Sequence, residues 1–402
     1  MVKINENFLT MKKNYLFIDI AKKIAAYREE NPDKPLIRMG IGDVTQPLAP
    51  VVVEAIKKGA DELGVKETFK GYEDSGTGYD FLKQAIADYY LKNSGVTLSL
   101  DEIRVNDGAK ADCGNIVDIF GDDNIVLITD PAYPVYVDSN TMSGRKIIYA
   151  DSNEENGFAA MPDRNVKADI IYLCSPNNPT GSVYTKDQLK QWVDYALEQG
   201  SVIIFDSAYE AFITDPDLPR TAYCVEGAKR CVIEMCSLSK TAGFTGTRCG
   251  YTIIPKELTV KASDGSDVSL AQLWGRRQGS KFNGVSYPIQ CGAAAVFTEE
   301  GQKQTHEAIA YYQRNARVMA DTLTELGIKF TGGINSPYIW LKCPNGMGSW
   351  EFFDYLLREI QVVGTPGEGF GKNGAGWFRL TAFGTYENTL EAMRRLKELI
   401  NK

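Results

Sequence analysis

Histidine is almost missing from this chain: His306, in "GQKQTHEAIA", is the only one in 402 residues. A single imidazole argues against a multi-histidine metal site and against a histidine-based triad, so no metal is expected and His306 reads as a surface helix residue. Cysteine occurs eight times but never as C-x-x-C, which leaves zinc and dithiol redox readings without support. Cys174, Cys231, Cys236 and Cys249 lie in or beside apolar runs, where free cysteine packs as a small hydrophobe. No run approaches the roughly 18 apolar residues that span a membrane. The start, "MVKINENFLTMKKNYLF", has no apolar signal core and no small-residue cleavage site, so we expect a cytoplasmic protein. Basic residues do not dominate either: 44 Lys and Arg stand against 52 Asp and Glu, a net charge of −8. Nucleic acid would be repelled on average, whereas a small anion needs only a local positive site. The phosphate-loop pattern G-x-x-x-x-G-K-[ST] is absent.

What is present is length and rhythm. A chain this long predicts two or more packed units. Short apolar runs end in polar or turn residues: "NIVLITDP", "DIIYLCSPNNPTG", "SVIIFDSAY", "CVIEMCSLSK" and "GYTIIP". Continuous rather than alternating apolar character fits strands covered on both faces. Between two of them lies "TKDQLKQWVDYALEQG", where Thr185 and Gln188 make a capping box, Leu189, Trp192, Val193 and Ala196 mark one face, and Gly200 suits the stop. Strand, helix, strand predicts an α/β fold with a mostly parallel sheet. The C-terminal part differs: "YIWLKC" and "GWFRLTAFG" are strand candidates, "SWEFFDYLLREI" is a helix, and "YENTLEAMRRLKELI" is amphipathic through Leu390, Met393, Leu396 and Leu399. That pattern suggests a smaller α+β unit. The polar stretch "TVKASDGSDVSLAQL" reads as an excursion between units. The expected division is an N-terminal arm with part of the small unit over 1–48, a large unit over 49–290, and a small unit over 291–402.

Polar residues gather where the apolar runs stop, and ligands of open parallel sheets bind beyond the carboxyl ends of the strands. Asp206 ends "VIIFD": it is either a helix cap or turn residue, or a carboxylate aimed at a buried cation, with Tyr209 placing a phenol beside it. Asn178 in "SPNNPTG" is either a turn residue or an amide held rigidly by Pro179. Lys240 follows a strand and is flanked by Ser239 and Thr241; a surface lysine is one reading, a desolvated nucleophile with a lowered pKa the other. The segment "SLSKTAGFTGTR" puts Ser237, Ser239 and Arg248 on one flexible stretch, a set that matches a phosphate's need for charge-assisted donors. In "NDGAKADCGN" a glycine stands at a helix start, where backbone N–H groups of Ala109 and Lys110 would either meet a phosphate or cap nothing.

Taken together, "SPNNPTG", "DSAY" and "SLSK…R" resemble, in order and spacing, the fold-type I, class I/II aminotransferases that use pyridoxal 5′-phosphate, over essentially the whole chain. The resemblance implies a large domain with a mostly parallel mixed sheet and a smaller α+β domain. It implies Lys240 as the Schiff-base lysine and proton shuttle of a ping-pong transamination. Asp206 would pair with the pyridinium nitrogen, and Tyr209 and Asn178 would bond the ring oxygen. Ser237, Ser239, Arg248 and the backbone of Ala109 and Lys110 would hold the phosphate, Tyr133 would stack on the ring, and Arg379 in "WFRLTAFG" would clamp the substrate α-carboxylate.

A narrower set, "NYLF", "MGIGDVTQPL", "NDGAKADCGN", "DPAYPVYVDSN", "SKTAGFTGTRCGY" and "FNGVSYPIQ", is similar to the LL-diaminopimelate aminotransferase family. That resemblance implies transfer between LL-2,6-diaminopimelate and 2-oxoglutarate, giving tetrahydrodipicolinate and glutamate in lysine biosynthesis. Tyr15, Gly42, Lys110 and Asn283 would contact substrate, and Tyr72 and Asn283 would reach across a homodimer's two-fold into the partner's site. One departure stands out. Where the family has a Y-G-x-E-Q-G-like stretch, this chain has "YEDSGTGYDFL", one residue longer, and neither Glu73 nor Asp74 falls in register. Other readings are an aminotransferase of different specificity, a pyridoxal-phosphate C–S β-lyase, and a cofactor-binding regulatory domain.

Overall fold

The protein is described by a computed structural model covering residues 2–11, 16–40, 42–73 and 76–401. Seven strands form the main sheet: β1 (Ile103–Asn106), β2 (Ile125–Asp130), β3 (Lys146–Asp151), β4 (Ile170–Cys174), β5 (Val202–Asp206), β6 (Val232–Ser237) and β7 (Gly250–Ile253). Their spatial order is β1-β7-β6-β5-β4-β2-β3. Only β7 runs against its neighbours; the other pairings are parallel. The continuous apolar runs have a direct physical reason. Side chains of a strand alternate faces, so a strand covered on both sides must be apolar at every position. Ile171, Leu173, Ile203 and Phe205 enter one core, while Ile170, Tyr172, Val202 and Ile204 enter the other.

Helices complete the layers. The first in the chain is α1 (Leu16–Glu30), followed by α2 (Pro50–Leu63), α3 (Asp80–Ser94), α4 (Ala109–Asn115), α5 (Pro134–Met142) and α6 (Lys186–Gln199). The α6 ends behave as the sequence predicts: Thr185 and Gln188 close a capping box, and Gly200 adopts the left-handed conformation at φ +70. After β6 comes α7 (Leu238–Thr241), then α8 (Leu270–Lys281), α9 (Tyr287–Val296) and the long α10 (Glu299–Glu325).

A third core gathers Ile309, Tyr312, Met319 and Leu323 of α10 with a four-stranded sheet. Its strands are β8 (Phe330–Gly332), β9 (Tyr338–Lys342), β10 (Thr365–Pro366) and β11 (Trp377–Thr381), in the order β8-β9-β11-β10 and all antiparallel. Two further helices, α11 (Ser349–Ile360) and α12 (Tyr386–Ile400), cover it. The N-terminal part of the chain joins this core. Leu16, Ile20, Ile24 and Tyr27 of α1 pack into it, and Ile37–Arg38 pairs in parallel with Val362–Val363.

Two expectations change. "TVKASDGSDVSLAQL" is not an excursion between units: Thr259–Lys261 and Asp267–Ser269 pair as a hairpin that leads into α8. Leu270, Ala271 and Trp274 of α8 then pack on a face of the large sheet, so apolar residues behind the polar hairpin decide its place. In α12 the buried face runs through Thr389, Ala392, Met393, Leu396 and Leu399, whereas Leu390 is 44% exposed. Leu390 lies one position off the stripe set by the 3.6-residue repeat.

Candidate active site

Three adjacent strand ends and one helix start build a single cleft. β4 ends at Cys174, and the turn after it carries Asn178, with cis peptides before Pro176 and Pro179. β5 ends on Asp206 itself, paired with Cys174 on one side and Met235 on the other. β6 ends on Ser237, whose hydroxyl accepts from the Ser239 N–H at 3.1 Å and so caps α7. The start of the segment expected to be flexible is a helical turn, Leu238–Thr241, and that turn holds Ser239 and Lys240. Opposite it, Gly108 opens α4 at φ +115, and a Cβ there would stand 2.5 Å from Nη2 of Arg248. Only glycine allows the guanidinium so close. Nη1 of Arg248 donates to Ser239 Oγ at 3.1 Å.

A cavity of ≈ 170 Å³ is lined by Ala109, Lys110, Tyr133, Asn178, Asp206, Tyr209, Ser237, Ser239, Lys240 and Arg248, with Tyr136 and Ala208 added. Asp206 is buried. Its Oδ2 accepts from the Tyr136 hydroxyl at 2.6 Å, and its Oδ1 from the Ala208 N–H at 3.0 Å. Burial pushes its carboxyl above the ordinary range, and these donors pull it partly back. The phenol beside Asp206 is thus Tyr136, not Tyr209. Tyr136 lies in the first turn of α5, three residues after Tyr133, which caps that helix.

Lys240 donates to the carbonyl of Gly42. Burial pulls its amine down to about 8; Asp43 opposes this, while Arg248 and Arg379 push the same way as burial. An amine near that value is partly neutral, and so able to act as a nucleophile, at mildly alkaline pH.

Arg379 reaches the cleft from β11 and is 1% exposed. Nη1 donates to Asn178 Oδ1 at 2.6 Å and Nη2 to the Gly40 carbonyl at 2.8 Å. The rings of Tyr338 and Phe370 lie 4.7 and 4.8 Å from its guanidinium carbon. Asn178 Nδ2 in turn donates to the Tyr209 hydroxyl at 3.3 Å, which also accepts from the Tyr338 hydroxyl at 2.7 Å. Tyr338 lies in "SPYIWLK" on β9, and no local pattern marks it, because its contact is with a residue 129 positions away. Lys110 places its ammonium 5.9 Å from the Tyr133 ring centre.

Some expected site residues stay apart. Tyr72 is 85% exposed and does not line the cleft of its own chain. Asn283 is exposed too, in a left-handed conformation at φ +67 just past the end of α8. Tyr15 and Asp74 fall outside the described residues. Glu73 Oε2 accepts from the N–H groups of Thr77, at 2.8 Å, and Gly78, at 3.1 Å, so this carboxylate ties its own loop together.

The donor set has a definite chemical complement. A guanidinium and two hydroxyls at a helix start suit a phosphate. A buried carboxyl held above its usual range suits a heterocyclic nitrogen that brings a proton and a positive charge. An amine pulled close to neutral suits an aldehyde. Together with the Gly108 cradle, these fit pyridoxal 5′-phosphate, and the fold and site define a fold-type I pyridoxal-phosphate enzyme. The chain belongs to the class I and II aminotransferases, whose family model matches residues 34–396. It is 54% identical, over 99% of its length and 100% of the relative's, to an LL-diaminopimelate aminotransferase of Lachnospira eligens. To an enzyme of the same name from Methanosphaera stadtmanae it is 52% identical over 99% of both chains. Among solved structures it superposes on L,L-diaminopimelate aminotransferase from Chlamydomonas reinhardtii with a TM-score of 0.91, at 40% identity, covering 99% of this chain and 98% of the other.

Proposed function

We propose that the protein transfers an amino group between LL-2,6-diaminopimelate and 2-oxoglutarate, and that it works as a homodimer. The observation that carries this reading is the meeting of Lys240, Asp206, Arg248 and Asn178 in one cleft, with Arg379 bonded to Asn178 at its wall. Relatives at 54% and 52% identity bear the same activity in their names. Pyridoxal phosphate, when bound, supplies an electron-poor ring that accepts the pair left at the substrate Cα.

The chain's own groups do the rest. Ser237, Ser239, Arg248 and the backbone of Ala109 and Lys110 hold the phosphate. Asp206 keeps a proton on the ring nitrogen, and Tyr136 holds that carboxylate in line. Tyr133 covers the ring face. Asn178 and Tyr209 donate to the ring oxygen. Arg379 grips the α-carboxylate with its planar fork, a geometry lysine does not offer. Lys240 Nζ, once displaced by the incoming amine, takes the proton from the substrate Cα and returns it on the other side of the transfer. Gly42, Lys110 and Tyr15 contact substrate. Tyr72 and Asn283, exposed on the single chain, serve the partner's site. Residues 1–48 with 291–402 form the smaller unit and 49–290 the larger.

A coupled assay decides. The purified enzyme with pyridoxal phosphate and 2-oxoglutarate is offered LL-diaminopimelate against aspartate, alanine and aromatic donors. LL-diaminopimelate should give the highest kcat/KM. Preference for any of the others sinks the specificity while leaving the aminotransferase chemistry intact, and release of pyruvate from a cysteine conjugate without an acceptor would move the reading to a β-lyase.

A further inference from the structure

Tyr338 stands on β9 of the smaller sheet and is 1% exposed, and its hydroxyl bonds to a phenol that follows β5 of the larger sheet. A buried tyrosine commonly needs only some partner for its hydroxyl, and a nearby carbonyl serves that purpose. Here the partner is Tyr209, which lines the cofactor cleft.

The direction of the hydrogen bonds made by Asn178 follows from donor and acceptor types. Arginine only donates, so the Asn178 atom facing Arg379 must be its carbonyl oxygen. The Asn178 amide therefore faces Tyr209 and donates to it, at 3.3 Å. Tyr338 donates to the same oxygen at 2.7 Å. With two hydrogens directed at its oxygen, Tyr209 must send its own proton elsewhere, and the remaining direction is the cleft. Burial raises the pKa of both phenols, that of Tyr209 well above its ordinary value, so both remain protonated donors. The ring of Tyr338 has a separate task, since the Arg379 guanidinium carbon lies 4.7 Å from its centre.

We infer that Tyr338 is a positioning residue: its hydroxyl turns the Tyr209 proton toward the cofactor's ring oxygen, while its ring supports the Arg379 guanidinium. Arg379, Asn178, Tyr209 and Tyr338 then form a closed circuit linking the group that grips the α-carboxylate to the group that sets the cofactor's charge. Within such a chain each bond polarises the next, so Tyr209 is a stronger donor with Tyr338 than without it. This rests on the proposed role of Tyr209, and the test separates the two.

The experiment is a pH titration of the visible absorbance of the holoenzyme, run beside kinetics with LL-diaminopimelate and with one monocarboxylic amino acid donor. Weaker donation to the ring oxygen leaves more negative charge there and holds the chromophore's proton tighter. Tyr338→Phe should therefore move the absorbance midpoint up by about half a pH unit, the scale of one polarised hydrogen bond. Its kcat should fall several-fold and its KM should stay within about twofold, because the ring under Arg379 is kept. Tyr338→Leu removes the ring as well and should raise KM for both donors. Incorporation of 3-fluorotyrosine at position 338, a stronger donor, should shift the midpoint the opposite way. Tyr209→Phe is the control and should shift it upward at least as far as Tyr338→Phe. If Tyr209→Phe moves the midpoint and neither position 338 variant does, the inference fails and the site reading stands. If Tyr209→Phe leaves it unmoved, the proposed role of Tyr209 fails and this inference falls with it.

Discussion

The lowered pKa of Lys240 makes a quantitative claim about how the cofactor-free protein takes up pyridoxal phosphate. The amine falls from an ordinary 10.5 to about 8, chiefly because burial removes water from the charged form. That difference corresponds to about 3 kcal/mol of preference for the neutral amine. At pH 7.5 an ordinary lysine is neutral about one time in a thousand, and Lys240 about one time in four. Only the neutral amine attacks an aldehyde, so the uptake rate should climb through a midpoint near 8 and then flatten. The assay is stopped-flow absorbance of apoprotein mixed with excess cofactor between pH 6.5 and 10.5, corrected with Lys240→Ala for binding that involves no amine. The same shift has a stability consequence. Between about 8 and 10.5 the unfolded chain binds a proton that the folded chain has lost, so Lys240 contributes stability that grows as pH rises through that window. Below it, Lys240→Met apoprotein should be the more stable of the two, and the gap should close toward pH 10.5. A rate that keeps rising to pH 10.5, with Lys240→Met less stable at every pH, would refute the desolvated-lysine account.

Three further outcomes follow from the same geometry. Asp206→Ala removes the charge that keeps the ring nitrogen protonated, and kcat should fall by orders of magnitude in steady-state assays; a near-normal kcat would contradict the pairing. Gly108→Ala forces a Cβ to 2.5 Å from the Arg248 guanidinium in a backbone conformation that disfavours side chains, so the dissociation constant for pyridoxal phosphate, measured by dialysis, should rise at least tenfold, a cost of about 1.4 kcal/mol. Arg379→Ala should raise KM for every amino acid donor, because all share the α-carboxylate; an effect confined to one donor would assign the arginine elsewhere.

The large sheet and its catalytic edge could be read from local sequence because each key residue ends its own apolar run. Asp206, Ser237 and the turn bearing Asn178 announce themselves where a buried strand meets polar residues. The residues that escaped notice act across distance. Tyr338 meets Tyr209 over 129 positions, and the Asp206–Tyr136 bond joins β5 to α5 over 70 positions. Tyr136 was the more accessible of the two, since it lies three residues after Tyr133 in the same segment. Leu390 failed for the opposite reason: an apolar residue near a stripe was counted in it, although the helical repeat carries it out to solvent.

The loop after Tyr72 bears most directly on specificity. A double zwitterion requires an acceptor for its distal ammonium, and Glu73 is the described acidic residue of that loop. Two N–H groups, from Thr77 and Gly78, already converge on its Oε2. A carboxylate that accepts two backbone donors is stabilised where it stands, and moving it to a substrate would leave both donors unsatisfied, at about 1–3 kcal/mol each if buried. Glu73 is therefore expected to fold the loop that carries Tyr72 rather than to meet the ammonium. Its replacement by glutamine keeps an acceptor oxygen and should leave the preference for LL-diaminopimelate nearly unchanged. Replacement by alanine should release the loop and lower kcat/KM for that donor more than for alanine. Equal loss of diaminopimelate preference in both variants would instead place the Glu73 charge on the substrate.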